Sequence, residues 1–306
     1  TFAAVGRFLR DVQVPGAIGT LIVDEAGQAE PQMALGALYR SRRAIIVGDP
    51  KQVEPVVTDE LDLLKSTYTE DIYRGYTDKG ISVQQFADSI NKWGTYLNRD
   101  DDDDNREWLG CPLLVHRRCI NPMYNISNQI SYGGMMKKQT AEPSEEKKKN
   151  FLYPKSCWFD VAGKEIGNKD HFVEQQGQCI VDMMKRAFQN KPDNPNVYII
   201  SPFTSVVNRV TWLLKKELST VNNIQEWCRD NIGTVHKFQG KEADEVIFVL
   251  GCDDSQSARG AVNWVNSNIV NVAVTRAKYR LYVIGARDVW KHSYWVNKMM
   301  TIMDEE

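Results

Sequence analysis

Two carboxylates stand side by side at Asp24-Glu25, directly after the apolar run Leu21-Ile22-Val23. A buried strand that opens into paired acids presents hard oxygen donors at its C-terminal end. One such carboxylate can hold Mg²⁺ while its neighbour orients a water for attack on phosphorus. The same letters also fit a strand that ends in an ordinary acidic turn. A second apolar run, Ile45-Ile46-Val47, opens into Gly48-Asp49-Pro50-Lys51-Gln52. Gln52 can both donate and accept hydrogen bonds, which suits sensing a terminal phosphate or its attacking water. Alone, that segment also reads as a plain β-turn.

Residues of this kind work only if rigid elements hold them. Short apolar runs recur at 19–23, 44–47, 113–115, 157–161, 197–200, 245–250 and 281–284. Amphipathic stretches lie between them, at 173–189, 206–218 and 269–277. Strand-helix alternation predicts an α/β fold with parallel sheets covered by helices. Gly and Pro follow the strands at Gly48-Asp49-Pro50 and Ser201-Pro202, where α/β folds place ligands.

Four further strings occur in a fixed order. They are Leu113-Leu114-Val115-His116-Arg117-Arg118-Cys119, Val197-Tyr198-Ile199-Ile200-Ser201-Pro202-Phe203, Gly233-Thr234-Val235-His236-Lys237-Phe238-Gln239-Gly240-Lys241-Glu242 and Asn271-Val272-Ala273-Val274-Thr275-Arg276-Ala277-Lys278. With the acidic pair and the Gln52 segment, they resemble motifs II to VI of superfamily 1 helicases, in the 1B group that includes the nonsense-mediated-decay helicase. The resemblance implies two RecA-like P-loop NTPase domains, the first truncated at its N-terminus. Residues 1–110 would be the C-terminal part of the first domain plus a helical connection. Residues 111–306, from Cys111-Pro112 onward, would be the second. It also implies ATP and Mg²⁺ as cofactors and single-stranded DNA or RNA as partner.

Roles follow from the same resemblance. Asp24 would hold Mg²⁺, Glu25 would polarise water, Gln52 would sense the γ-phosphate and Gln28 would lie on the nucleotide. Arg118 and Arg276 would stabilise the leaving charge, because a guanidinium is always charged and grips phosphate oxygens in bidentate fashion. A surface salt bridge is the other reading for each. The small apolar neighbours Val272, Ala273 and Ala277 weigh against it for Arg276. Arg117 stands where the family has Tyr, and only one of Arg117 and Arg118 can face the site. Gly240, Lys241 and Glu242 would approach the nucleotide, though Glu242 also reads as an ordinary helix-start acid. Ser201, Pro202, Phe203 and Thr234 would contact the single strand. Ser201 and Thr234 could equally be helix caps, and Phe203 and Phe238 could equally be core. Trp212, Trp264, Trp290 and Trp295 are expected in the core.

A Gly-Lys-Ser/Thr loop for the β- and γ-phosphates is missing: Gly-Lys occurs at 163–164 and 240–241, each followed by Glu. The expectation is therefore an excised part of a longer chain, with an upstream segment carrying that loop, and no appreciable ATPase from these 306 residues alone. A helicase-like scaffold that binds nucleic acid or protein without hydrolysis is the rival. A nuclease-helicase fusion is a third reading, although Asp100-Asp101-Asp102-Asp103-Asp104 is too uniform for a nuclease centre. That run and Lys147-Lys148-Lys149 read as solvated loops. Apolar content of 42%, charged content of 25% and net charge of -2 suit a globular cytoplasmic protein of about two domains, without a membrane span. The six cysteines and four histidines show no zinc-ligand spacing, so reduced thiols are expected.

Overall fold

The computed structural model describes residues 1–55, 66, 67, 69, 70, 81–97, 107–167 and 169–306. The Asp100–Asp104 run and much of the 58–108 segment lie outside them. The chain divides into two compact units, Thr1–Leu113 and Leu114–Glu306. The division falls three residues after the end of the predicted first domain at 110.

In the first unit, β1 (Ile18–Val23) pairs in parallel with β2 (Ser41–Ile46). They are joined through α2 (Pro31–Tyr39), which starts with Pro at its first position, where a missing N–H costs nothing. Helix α1 (Phe2–Phe8) packs against α2. Val23, Ala26, Ala34 and Val83 form the buried core, with Phe2, Leu21, Leu38 and Ile46 packed around it. Helix α3 (Val83–Ile90) begins with a capping box between Ser82 and Gln85. A short antiparallel pair, β3 (Thr95–Leu97) and β4 (Glu107–Leu109), follows. Trp108 donates its indole N–H to the Asp88 carbonyl at 3.0 Å, tying that pair to α3.

The second unit is built on a five-stranded sheet of order β7-β11-β10-β8-β9. Its strands are β7 (Cys157–Asp160), β8 (Val197–Ser201), β9 (Ile232–Thr234), β10 (Ala243–Val249) and β11 (Ala277–Gly285), and each neighbouring pair is parallel. Every residue of β10 is buried, as a central strand covered on both faces requires. A separate two-residue parallel pair joins β5 (Val115–His116) to β6 (Lys137–Lys138). The predicted α/β architecture with parallel sheets is therefore the observed one.

The predicted helices are present within one to two residues as α5 (Glu174–Asn190), α6 (Thr204–Glu217) and α9 (Ser267–Thr275). The last ends before Ala277 because that residue opens β11. Helix α4 (Met123–Ser131) packs on α9 and on α10 (Tyr294–Glu305). Helices α7 (Ile224–Asn231) and α8 (Gln256–Trp264) also belong to the unit. Buried Ser127 on α4 donates to the Asn271 side-chain oxygen at 2.7 Å, and the Asn271 side-chain amide donates to the Tyr132 hydroxyl at 3.2 Å. These satisfied polar contacts fix α9, and hence Arg276 behind it, against α4.

Two expectations need correction. Trp212 and Trp264 are 59% and 50% exposed rather than core. Val206, Val210 and Leu214 form the buried stripe of α6 at four-residue spacing. Trp212 sits two positions off that stripe, on the opposite face, with the Lys216 ammonium over its ring. Trp264 closes α8 at its exposed end. Trp290, by contrast, is fully buried and donates to the Gly251 carbonyl at 3.0 Å. The Lys147–Lys149 run is not wholly free in solvent either, since Lys147 pairs with Asp244 at 2.7 Å and lies over the Tyr279 ring.

Candidate functional site

In the first unit, the loops after β1 and β2 are held together. The Val47 amide donates to the Val23 carbonyl at 2.8 Å, and the Ala26 amide donates back to the Val47 carbonyl at 2.9 Å. Two glycines permit the approach. A Cβ on Gly48 would stand 2.6 Å from the Gly27 nitrogen, and one on Gly27 would stand 2.5 Å from the Asp49 carbonyl oxygen. Only hydrogen at both positions lets backbone meet backbone here.

On that support the acids face solvent. Asp24 and Glu25 are both exposed. One Asp24 oxygen accepts the Glu25 amide at 2.9 Å. Glu25 lies at φ 54, in the left-handed region, so the chain turns off the strand axis at this residue. Its carboxylate accepts from the Gln28 side-chain amide at 3.1 Å, so two predicted residues meet directly. Across the glycine contact, Gln52 donates to Asp49 at 3.0 Å, and the Lys51 amide donates to the other Asp49 oxygen at 2.9 Å. Lys51 also forms an ion pair with Glu107. Exposed carboxylate oxygens on a rigid strand end match the hard donors that Mg²⁺ prefers, and few are needed because that ion keeps several waters.

In the second unit, β5 runs into a turn built by His116. Its buried Nε2 accepts the Cys119 amide at 3.0 Å and lies 3.0 Å from the Cys119 sulfur. Burial, helped by the Arg118 charge, lowers the His116 pKa, in keeping with a lone pair on that nitrogen. Burial likewise pushes the Cys119 thiol up to about 12. The turn sends the two arginines apart. Arg117 donates to the Gln139 side-chain oxygen at 2.9 Å, while Arg118 stands 3.9 Å from the Glu242 carboxylate. Glu242 also pairs with Lys278 at 2.9 Å. Exposed ion pairs of this kind add little stability, so the cluster is available for other work.

Arg276 follows α9 and is completely buried. Its Nε donates to the Val272 carbonyl at 3.0 Å. One terminal nitrogen donates to the carbonyls of Phe238 and Lys241 at 3.2 and 3.0 Å, and the other donates to the Thr275 hydroxyl at 3.1 Å. The guanidinium thus clamps the loop that carries Gly240, Lys241 and Glu242. Gly240 sits at φ 77, a conformation that favours glycine. Phe238 beneath the loop is fully buried and stacks on Tyr198 at 4.4 Å.

The remaining predicted residues meet at the C-terminal ends of β8 and β9. Ser201 and Thr234 are register partners there. Ser201 is buried, and its hydroxyl accepts the Phe203 amide at 3.3 Å, which makes it a local turn former. Phe203 is buried too, with its ring 4.6 Å from His171 and 6.0 Å from Trp264. Thr234 is half-buried and precedes a 3₁₀ turn without capping it by its side chain. Pro202 is buried between them in sequence. Sequence reasoning passed over Lys278 and His116, although both lie inside strings it had singled out. A lysine two residues beyond Arg276 and a histidine before two arginines were the available signals.

A family model described as an AAA domain matches residues 106–288, and a second of the same description matches residues 4–60. Among curated proteins, the chain is 21% identical over 286 residues to the probable helicase senataxin of Mus musculus, covering 90% of this chain and 10% of that protein. It is 22% identical over 284 residues to regulator of nonsense transcripts 1 of Dictyostelium discoideum, covering 90% of this chain and 19% of that protein. It thus spans a small part of the length of either relative. A solved complex of arterivirus nonstructural protein 10 (helicase) with DNA aligns over 92% of this chain and 43% of its own, at 15% identity and a TM-score of 0.42. The chain belongs to the AAA-domain family and, within it, to the superfamily 1 helicases of the group that includes the nonsense-mediated-decay helicase.

Proposed function

We propose that this chain is the C-terminal part of an ATP-dependent helicase or translocase acting on single-stranded DNA or RNA. The carrying observation is the exposed Asp24-Glu25 pair on a strand end that is glycine-locked to the loop of Gln52. Asp24 holds Mg²⁺, which when bound supplies charge neutralisation to the phosphates. Glu25, already oriented by Gln28, polarises the attacking water. Gln52 senses the γ-phosphate from its seat on Asp49. Arg118 and Glu242, exposed on one cluster, contribute a guanidinium and a ribose-facing carboxylate, with Gly240 and Lys241 at the nucleotide. Ser201, Pro202, Phe203 and Thr234 frame the path of the nucleic-acid backbone, and sequence-independent contacts there suit translocation.

An upstream segment of the same protein supplies the Gly-Lys-Ser/Thr loop and covers the bare face of the first unit's sheet. Ile22 and Ile45 on its two paired strands are 68% and 52% exposed, whereas parallel sheets are normally covered on both sides. The 306-residue chain alone then shows no appreciable ATPase. The test is ATP turnover by the full-length protein, with and without single-stranded DNA or RNA. Stimulation by either polymer, abolished in Glu25→Gln, is expected. Turnover that neither polymer changes would overturn the translocase reading.

One observation favours the rival, a scaffold that binds without hydrolysis. The Arg276 guanidinium is spent on protein carbonyls, and reaching a phosphate requires it to leave Phe238 and Lys241. Absence of a Gly-Lys-Ser/Thr loop from the upstream coding sequence would decide for the scaffold.

A further inference from the structure

A further group of chemistry-bearing side chains lies at the C-terminal end of the second unit's sheet, beside Phe203. Residues 165–166 lie against 172–173 through a bridge between Glu165 and Val173 and a bond from the Ile166 amide to the Phe172 carbonyl. This brings His171 onto Glu165: the His171 amide donates to one carboxylate oxygen at 2.9 Å, and its Nδ1 lies 3.4 Å from the other. The loop is then pinned to the segment after β10. The Cys252 amide donates to the His171 carbonyl at 2.8 Å, and the Glu165 amide donates to Asp253 at 3.1 Å. The result is a carboxylate, an imidazole and a thiol whose ligand atoms all lie within 4.8 Å of one another.

We propose that Glu165, His171 and Cys252 bind one divalent transition-metal ion, zinc by the chemistry of the donors. Thiolate, imidazole and carboxylate together are a borderline-soft set, which suits Zn²⁺ and excludes the oxygen-seeking Mg²⁺ and Ca²⁺. The spacing is close to what zinc needs. Nitrogen and oxygen ligands at ~2.0 Å in a tetrahedron stand about 3.3 Å apart, and His171 Nδ1 and Glu165 Oε1 stand 3.4 Å apart. The Cys252 sulfur lies within 4.8 Å of both other ligand atoms, so binding the ion would draw it inward.

Burial supports the same assignment. The Glu165 side chain is 5% exposed, that of His171 is 16% exposed, and Cys252 as a whole is 1% exposed. A carboxylate packed so deeply is costly unless it is hydrogen-bonded or paired with a cation. The backbone is shaped for the site as well: His171 and Cys252 lie at φ 58 and 62, left-handed for residues that carry side chains. Gly251 lets the strands meet, since a Cβ there would stand 2.3 Å from the His171 carbonyl oxygen. Three ligands leave a fourth position for water. The ion would staple the 165–173 loop to the end of β10, directly beneath Phe203, which touches His171.

The 306-residue chain is purified without chelator, and its zinc content is measured after dialysis. It is then loaded with Co²⁺ and its absorption spectrum recorded. One zinc per chain and a thiolate-to-cobalt charge-transfer band are expected, both lost in Cys252→Ser and His171→Ala. Cys119→Ser is the control, because Cys119 and His116 form a nearer cysteine-histidine pair, and it should keep the band. Zinc should also raise the unfolding temperature of the parent by several degrees, reversibly with EDTA. A parent chain with no charge-transfer band overturns the proposal without recourse to any variant. So does a band that survives Cys252→Ser or disappears in a folded Cys119→Ser.

Discussion

The acidic edge of the first unit and the arginine edge of the second use charge in opposite ways. Asp24 and Glu25 are exposed, and among the described residues their side-chain hydrogen bonds run to the Glu25 amide and to Gln28. Arg276 is wholly buried, and its guanidinium ties together the carbonyls of Val272, Phe238 and Lys241. In the first case the fold could stand without the charge. In the second, the charge is part of the fold. Residues of equal rank in a motif can therefore carry different loads: one set is placed by the scaffold, and the other also holds the scaffold in place.

The sharpest way to test that contrast is to separate chemistry from stability. In the full-length protein, Glu25→Gln should reduce ATP turnover by roughly 10²–10⁴-fold, the range for a lost general base. Its unfolding midpoint should stay within about 0.5 kcal/mol of the parent, as for an exposed site. Steady-state turnover and urea unfolding of one preparation measure both. A large loss of stability would show that the acidic edge is as structural as the arginine edge.

Arg276→Ala should do the reverse. It removes a charged donor from the carbonyls of Val272, Phe238 and Lys241 and leaves a void where a fully buried side chain stood, and the cost should be about 3 kcal/mol in urea unfolding. Arg276→Lys should recover little of this, because an ammonium cannot reproduce the fork that reaches three carbonyls. Full recovery by lysine would mean that charge alone, not the geometry of the clamp, secures the loop of Gly240.

Gly48→Ala addresses the first unit's scaffold rather than its charges. The added methyl would lie 2.6 Å from the Gly27 nitrogen and 2.8 Å from the Ala26 nitrogen, against backbone that has little room to yield. Overpacking of this kind costs roughly 1–3 kcal/mol, and the Asp24-Glu25 and Gln52 loops should part. Loss of hydrogen-exchange protection at the Ala26 and Val47 amides would report it. Unchanged protection would show that the two loops are held by something other than close glycine contact.

The same contrast explains what the sequence disclosed. Strands β1, β8, β10 and β11 announce themselves as apolar runs, and α5, α6 and α9 as amphipathic stretches, because burial on a sheet or stripe writes its period into the chain. Strand β9 has three residues, Ile232–Thr234, too few for a period to register, although its string had been recognised for other reasons. The acids at the end of β1 were legible because a strand's exit is a local event. The fate of Arg276 was not, since its partners Phe238 and Lys241 are remote in sequence and the donors are matched to backbone carbonyls that any residue could supply. Glu165, His171 and Cys252 illustrate the limit most plainly: two lie six residues apart, but the third arrives 81 positions later through the sheet. Trp212 and Trp264 misled in the other direction, because residue type was allowed to outweigh position on the helix.

The smallest effect concerns the turn that separates Arg117 from Arg118. All four histidines lie in the second unit, so protonation in the mildly acid range distinguishes the two units directly. In the folded chain His116 accepts the Cys119 amide on Nε2, and its pKa is lowered below the ordinary 6.5 by burial first and by the Arg118 charge second. The unfolded chain binds the proton at the ordinary value. As pH falls through about 6.5, the unfolded state therefore takes up a proton that the folded state refuses, and stability declines until the lower folded pKa is reached. Above that window both states are neutral and the effect vanishes. Urea midpoints at about pH 7.5 and about pH 5.5 should show this decline in the parent. His116→Asn, whose amide oxygen can still accept from Cys119, should show a smaller one. Part of the slope should persist because burial lowers the pKa of His236 in the same direction. An undiminished slope in His116→Asn would mean that the turn tolerates a charged imidazole, and that Arg118 is aimed toward Glu242 by something other than the neutral ring.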